Sequence, residues 1–194
     1  DQLNVERPVV VGHSWGALAA LAIALEHGSK LAGLVLISGY YFATARPDVA
    51  LFSPPAVPLL GDIVAHTVSP LAGRLLLPAA AKASFAPAPV DERFMAMRGL
   101  MLRPSQIQAT AADAALMTPA AVTMSKRYAE LSLPVHVLAG EGDLITHLDE
   151  HAEKLAQTVR GATLRRFPGL GHLLHYARPA DVVDSVGAVH PEAG

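Results

Sequence analysis

The sequence has no cysteine among its 194 residues. A disulfide framework, a cysteine-based zinc site and a cysteine nucleophile are therefore excluded, and a reducing, cytoplasmic environment is favoured. Charged residues are scarce at 16%, and fifteen Lys and Arg side chains against seventeen Asp and Glu leave a net charge of −2. This balance gives no compositional case for a nucleic-acid partner or an acidic substrate.

The sequence also lacks a clear membrane-spanning segment. The longest uncharged run covers residues 8–25, between Arg7 and Glu26, and by length alone it could cross a bilayer. It begins with a proline, however, and it carries two glycines, a histidine and a serine near its middle. Because its composition changes there from valine-rich to alanine- and leucine-rich, we interpret it as a buried strand followed by a buried helix.

What the sequence does have is an abundance of apolar residues in alternating kinds of segment. Hydrophobic residues make up 52% of the chain and the mean hydropathy is +0.34, which indicates a core-rich globular domain. Strands are predicted at 9–11, 31–38, 135–139 and 162–167, and helices at 15–27, 147–159 and 179–189. Strands that are apolar throughout and separated by helices are typical of a parallel sheet covered on both faces, so we predict an α/β fold.

The alternation breaks between residues 40 and 132, where ten of the fifteen prolines fall. Within residues 49–81 the only charged side chains are Asp62 and Arg74. Short, proline-delimited apolar helices are predicted here, and we expect them to form a cap over residues 43–131 between two core segments, 1–42 and 132–194. Pockets of parallel sheets lie at the carboxyl ends of the strands, where such a cap would sit. A second small core is the alternative.

The pentapeptide Gly12-His13-Ser14-Trp15-Gly16 joins the first predicted strand to the first predicted helix. A Gly-x-Ser-x-Gly pattern is a modest signal by itself, but its place between strand and helix strengthens it. We expect Gly12 and Gly16 to allow a sharp turn with Ser14 at its apex, in strained backbone geometry that exposes the hydroxyl above the sheet. The N–H groups at the helix start would then face an oxyanion formed at that serine. An idle serine in a glycine-rich turn is the alternative.

A serine hydroxyl needs a base, and the base needs an orienting acid. Asp143 ends the segment GEGD just after the strand VHVLA, and His172 ends GLGH just after the strand ATLRRF. Both follow strand carboxyl ends, and so we expect them at the same edge of a parallel sheet as Ser14.

The motifs GHSWG, GEGD and GLGH, in this order and on these elements, resemble the C-terminal two-thirds of α/β-hydrolase fold serine hydrolases. The resemblance implies that Ser14 is the nucleophile, His172 the general base and then acid, and Asp143 the acid that orients it. The backbone N–H of Trp15 would be one oxyanion donor. Glu141 remains an alternative acid, and His175 an alternative base.

The family has further strands before the serine turn, and one of the loops there supplies a second oxyanion donor. Residues 1–8 are too short to contain these strands, so we expect a parent protein that is longer at its N-terminus. Loss of one oxyanion donor costs roughly 3–4 kcal/mol of transition-state stabilisation. We therefore expect this fragment alone to be poorly folded or inactive.

The function implied is hydrolysis of a carboxylic ester or related acyl bond of an apolar small molecule through an acyl-enzyme, with no cofactor and no metal. Other enzymes on this scaffold remain alternatives: a C–C bond hydrolase, a perhydrolase or an acyltransferase. An inactive fragment or a binding module is the non-enzymatic alternative. The sequence leaves the oligomeric state open.

Several further side chains are candidates for lining a pocket or holding a metal. Possible pocket residues are His13 beneath the serine turn, Met95 and Met101 in the cap, since methionines form adaptable apolar walls, and His175. The Trp15 side chain is another pocket candidate. The segment 147–151 (HLDEH) fits an H-x-x-E-H zinc pattern, but we interpret it as a solvated helix face.

Overall fold

Four parallel strands form the sheet in a computed structural model that describes residues 5–45, 56–57 and 60–190. They are β1 (Val9–His13), β2 (Gly33–Ile37), β3 (Val135–Gly140) and β4 (Thr163–Phe167), and they lie in the order β1-β2-β3-β4. In register, Val11 pairs with Val35, Leu36 with Val137, and Ala139 with Arg166. The predicted α/β fold with a parallel sheet is confirmed.

Helices separate and follow these strands in the described part of the chain. They are α1 (Trp15–His27), α2 (Leu60–His66), α3 (Val68–Phe85), α4 (Glu92–Ala96), α5 (Arg98–Met101), α6 (Pro104–Met124), α7 (Lys154–Thr158), α8 (Leu174–Ala177) and α9 (Pro179–Val189). Helices α2 to α6 all lie between β2 and β3 in the chain. Of the helices that the structure describes, none combines the length and the apolar character needed to cross a bilayer.

Both faces of the sheet are covered, and β2 shows this most clearly. Leu34 and Leu36 face the larger apolar cluster, which contains Leu18 and Leu21 of α1. On the other face, Val35 and Ile37 belong to a second cluster; Phe167, Leu174 and Val189 also lie in it. Successive side chains of a strand point to opposite faces, so a strand covered on both sides is apolar at every position.

The outer strands depart from the prediction that every strand is apolar throughout. In β4 only Phe167 is buried, while Arg165 and Arg166 are exposed and pair with Asp181 and Glu153. Within the described residues β4 is an edge strand, and an edge needs no second apolar face. The strand β1 lies at the opposite edge and leaves Val11 47% exposed.

The segment between β2 and β3 packs on the core only in part. Met117 and Ala121 of α6 join the larger cluster beside α1, whereas Ile63, Leu71 and Leu75 expose most of their side chains. The division of the chain into core and cap at residues 43 and 131 stays a prediction.

Candidate active site

The serine turn is a tight connection of one residue between β1 and α1. Ser14 has φ 52° and ψ −120°, a backbone conformation that costs an L-residue of this kind about 1–3 kcal/mol. Its N–H donates to the Ile37 carbonyl at 3.0 Å, and its own carbonyl accepts from the Ala17 N–H at 3.1 Å. These bonds hold the strained residue against both the neighbouring strand and the new helix.

The two glycines of this turn are not equivalent. A Cβ at Gly12 would lie 2.5 Å from the Gly16 carbonyl oxygen and 2.6 Å from Ala17 Cα. The backbone at the start of α1 therefore packs so close to position 12 that only glycine fits there. A Cβ at Gly16 would meet no atom of the described part of the chain within 4 Å. Among the described residues a steric need for glycine is therefore evident at Gly12 and not at Gly16, and the contribution of Gly16 to the turn stays a prediction.

The acid loop, residues 140–146, follows β3 and buries Asp143 to 4% exposure. Its Oδ1 accepts hydrogen bonds from the backbone N–H groups of Ile145 at 2.8 Å and Thr146 at 2.9 Å. Its Oδ2 accepts from the Thr146 hydroxyl at 2.8 Å and lies 2.9 Å from His172 Nδ1. Burial opposes ionisation of this carboxyl, but the bonds from His172 and from these backbone groups outweigh burial and lower the pKa of Asp143.

The histidine loop, residues 168–173, follows β4 and packs directly on the acid loop. Gly142 donates its N–H to the Leu170 carbonyl at 2.9 Å, and a side chain on Gly140 would collide with the backbone at Leu170 and Gly171. Close backbone contact between the two loops sets the position of the imidazole over the carboxylate.

Three predicted residues meet here. His172 is buried, with Nδ1 2.9 Å from Asp143 Oδ2 and Nε2 2.9 Å from Ser14 Oγ. A carboxylate only accepts hydrogen bonds, so Nδ1 carries the proton and Nε2 accepts the Ser14 hydroxyl. This arrangement can take a proton from Ser14 and hold the resulting imidazolium beside a carboxylate.

The alternative acid and base lie elsewhere. Glu141 is exposed to solvent, whereas the carboxylate that contacts His172 is that of Asp143. The His175 ring packs 4.6 Å from that of His13, and its Nδ1 is buried without a hydrogen-bond partner among the described residues. The imidazole bonded to the Ser14 hydroxyl is that of His172.

Thr146 is a site residue that sequence reasoning missed. Its hydroxyl lies 2.8 Å from Asp143 Oδ2, 3.2 Å from the Ser38 carbonyl and 3.3 Å from His172 Nδ1. The available signal was a threonine three residues after an aspartate, the spacing at which an aspartate accepts from the backbone in a turn. The Thr146 hydroxyl thus supports Oδ2 of the acid, whereas the backbone donors bind Oδ1.

Trp15 plays two separate parts. As the first residue of α1 it has an N–H that no preceding helical turn can satisfy, at the end of the helix that favours negative charge. Its indole is partly buried and packs against the larger apolar cluster. The backbone therefore suits an oxyanion beside Ser14, while the side chain serves the core.

The other candidate pocket residues are scattered. A cavity of about 240 Å³ lies against the histidine loop, and its walls include Phe85, Leu170 and Tyr176 but neither Met95 nor Met101. These two methionines are half-buried in α4 and α5. Their place in a substrate pocket stays a prediction.

The segment 147–151 does not form one solvated helix face, which corrects that interpretation. His147 is exposed, but His151 is 2% exposed and lies in a π-helical turn, Asp149–Glu153, ahead of α7. Its Nδ1 accepts from the backbone N–H groups of Tyr41 at 3.2 Å and Phe42 at 3.4 Å. Over the described ranges, no cluster of three or more His, Cys, Asp or Glu side chains is arranged to hold a metal.

Comparison with known proteins shows which family this chain resembles. One relative, a putative carbamate hydrolase named RutD from Caulobacter sp., is 46% identical over 48 residues, which are 25% of this chain and 16% of that protein. An alpha/beta hydrolase fold protein from Burkholderia ambifaria has a TM-score of 0.74 at 22% identity, over 96% of this chain and 67% of its own. The enol-lactonase of Burkholderia xenovorans has a TM-score of 0.64 at 17% identity. The match covers 96% of this chain and 66% of the enol-lactonase chain.

These two solved structures share the fold, and this chain spans about two thirds of the length of each. A model of the alpha/beta hydrolase family matches residues 1–185, nearly the whole chain. The chain therefore belongs to the alpha/beta hydrolase family, which confirms the resemblance inferred from the three motifs and places the protein in a family of hydrolytic enzymes.

Proposed function

We propose that this chain carries the catalytic triad of a serine hydrolase that cleaves a carboxylic ester or related acyl bond of an apolar small molecule. The observation that carries the proposal is the continuous hydrogen-bond chain from Ser14 Oγ through His172 to Asp143, with both links at 2.9 Å. A nucleophile, a base in contact with it and an acid that orients the base together make up the machinery of acyl transfer.

Acylation would begin with attack of Ser14 Oγ on the substrate carbonyl carbon. The Oγ proton passes to His172 Nε2 as the C–O bond forms, and the carbonyl π electrons move onto the oxygen as an oxyanion beside the Trp15 N–H. The tetrahedral intermediate then collapses, the bond to the leaving group breaks, and the imidazolium returns its proton to the departing oxygen. An acyl ester on Ser14 and a free alcohol result.

Deacylation would repeat the same steps with water as the nucleophile. His172 takes one proton from water, the hydroxide adds to the acyl carbon, and collapse releases a carboxylic acid and Ser14 Oγ, which recovers its proton from the imidazolium. Asp143 keeps its negative charge throughout, and its lowered pKa keeps it ionised at neutral pH.

The substrates named for two similar proteins contain the same kind of reactive bond. A carbamate and an enol-lactone both present an acyl carbon bonded to a heteroatom, the electrophile that this triad would attack. We extend the bond type, and not either substrate, to this protein.

The apolar character of the substrate is proposed from the segment 43–131, which we propose forms a cap. Across residues 49–81 its only charges are Asp62 and Arg74, and its helices expose large aliphatic side chains. Such a surface near the carboxyl ends of the strands favours binding of a lipophilic acyl or alcohol group.

Hydrolysis of p-nitrophenyl esters of increasing acyl length tests both parts of the proposal, with the natural protein at its full length. We expect kcat/KM to rise from acetyl to longer acyl chains, and the activity to vanish in Ser14→Ala. Ser29→Ala is the matched control: it changes an exposed serine just after α1 and should retain full activity. Activity that survives in Ser14→Ala would reject the triad, and a strict preference for acetyl or charged esters would reject the apolar substrate.

A further inference from the structure

His13, the residue just before the proposed nucleophile, makes a contact that its place in the serine turn does not require. Its Nε2 lies 3.0 Å from the backbone carbonyl oxygen of His172, 159 residues away in the sequence. Its ring lies between two other imidazoles, with centroids 4.9 Å from His172 and 4.6 Å from His175. One side chain thus ties the serine turn to the histidine loop independently of the triad bonds.

The protonation state of His13 follows from its partner. A carbonyl oxygen only accepts hydrogen bonds, so Nε2 must carry a proton, and a neutral ring is then the Nε2–H tautomer. Burial, followed by the nearby His172 and His175, lowers the pKa of His13 to about 3. The titratable groups that face this ring are His172, His175 and Asp143, and a second positive ring beside His172 is disfavoured.

The histidine loop is held on both sides of His172 by backbone contacts with other segments. Gly169 has φ 71°, and a side chain on Gly171 would collide with the Ala86 carbonyl. The neighbouring backbone is held at the Leu170 carbonyl, by the Gly142 N–H at 2.9 Å, and at the Leu173 N–H, by the Ser84 carbonyl at 3.2 Å. The His172 carbonyl lies between these two points, and His13 holds it.

We propose that His13 is a positioning residue for the proposed reaction, donating its Nε2–H to the His172 carbonyl so that the base stays in hydrogen-bond contact with Ser14. The inference rests on the proposed function. Because His13 is covalently next to Ser14, the strained turn that presents the nucleophile also presents the donor that fixes the base. A misplacement of about 1 Å in such a site can cost roughly a hundredfold in rate.

Substitution pairs separate this role from simple filling of space. His13→Phe keeps an aromatic ring and removes the donor, while His13→Gln replaces the ring by an amide whose N–H can reach the same carbonyl. We expect kcat on a p-nitrophenyl ester to fall about tenfold or more in His13→Phe with KM within twofold, and His13→Gln to recover most of kcat. The matched controls His136→Phe and His136→Gln change a half-buried histidine of β3 and should leave both constants unchanged.

Imidazole ¹⁵N–¹H spectra of the unmodified protein supply a readout that does not depend on activity. We expect His13 to appear as the neutral Nε2–H tautomer from pH 5 to pH 8, with a hydrogen-bonded proton. The Nδ1–H tautomer, or an Nε2 proton without a hydrogen bond, would overturn the inference, as would full kcat in a folded His13→Phe protein. A wild-type protein without ester hydrolysis would instead overturn the proposed function, while the spectra would still decide whether His13 holds the loop.

Discussion

Asp143 illustrates how much of this site depends on single hydrogen bonds. Both oxygens of its carboxylate are occupied, Oδ1 by two backbone N–H groups and Oδ2 by the Thr146 hydroxyl and His172. A carboxylate with this many donors stays ionised although it is buried, and it cannot rotate without losing several bonds. The orientation of His172 is therefore set by an acid that is itself held from several directions.

Removal of the Thr146 hydroxyl should weaken this support without changing the shape of the residue. Thr146→Val keeps the β-branched side chain and the backbone N–H, but it loses the donor 2.8 Å from Asp143 Oδ2. A hydrogen bond to a charged group contributes about 1.5–3 kcal/mol, so we expect kcat/KM for an activated ester to fall about tenfold or more. Steady-state kinetics measures this loss.

Thr123→Val is the matched control for that experiment. The Thr123 hydroxyl donates to the Pro119 carbonyl on an exposed face of α6, and its loss should leave kcat/KM unchanged. Equal activity in Thr146→Val and wild type would show that the backbone donors alone orient Asp143.

At the scale of elements, the strand–turn–helix unit β1–Ser14–α1 is tightly constrained by sterics. The helix begins so close to the strand that its backbone passes within contact distance of Gly12. The atoms that a Cβ would meet there are backbone atoms of Gly16 and Ala17, and these cannot turn aside as a flexible side chain could. The turn therefore depends on glycine at position 12.

Gly12→Ala should destabilise the protein, and Gly16→Ala should not. Overpacking of this kind costs about 1–3 kcal/mol. An alanine at position 16, whose Cβ site is open, instead lowers the conformational entropy of the unfolded chain and stabilises the protein slightly. We expect a lower midpoint of urea unfolding for Gly12→Ala and an unchanged or higher one for Gly16→Ala. Equal midpoints for the two variants would contradict the steric account.

The elements also show where sequence patterns stop being informative. The bounds of α1 and α9 match the predicted 15–27 and 179–189, because a helix stop after His27 and a proline at the start of α9 mark them locally. The predicted helix 147–159 instead contains a π-helical turn with His151 buried. His151 is buried because its Nδ1 accepts hydrogen bonds from the N–H groups of Tyr41 and Phe42, about 110 positions away. The residue spacing within 147–159 does not predict contacts with such distant residues.

For the molecule as a whole, the parallel sheet explains why the candidate site could be predicted from the amino-acid sequence. The strands before Ser14, Asp143 and His172 all run in one direction, so their carboxyl ends meet at one edge. Strand order and motif spacing suffice for that convergence. They do not reveal the contacts of Thr146 and His13, which depend on side-chain packing between loops.

The buried histidines should make the stability of the whole protein depend on pH. Burial first, and then neighbouring imidazoles, lower the pKa of His13 to about 3 and also lower the pKa of His175. In the unfolded chain both titrate near 6.5, so below pH 6.5 these two residues bind more protons in the unfolded chain than in the folded one. The free energy of unfolding should therefore fall as the pH falls, and for His13 this loss continues to about pH 3, by up to about 1.4 kcal/mol per pH unit.

Urea unfolding between pH 7.5 and 4 measures this dependence. His13→Phe should show a shallower loss of stability on acidification than wild type, because one of the contributing imidazoles is gone. The control His147→Phe changes an exposed histidine and should keep the wild-type slope. Identical slopes for His13→Phe and wild type would show that folding leaves the pKa of His13 unchanged.

The central claim is that the hydroxyl of Ser14 is activated by His172, and covalent labelling tests it most directly. The natural protein is treated with a fluorophosphonate, digested, and the labelled residue identified by mass spectrometry. We predict a single adduct on Ser14 that forms at least a hundredfold more slowly in His172→Ala. An adduct on a different serine, or no adduct on a protein that hydrolyses esters, would contradict the account.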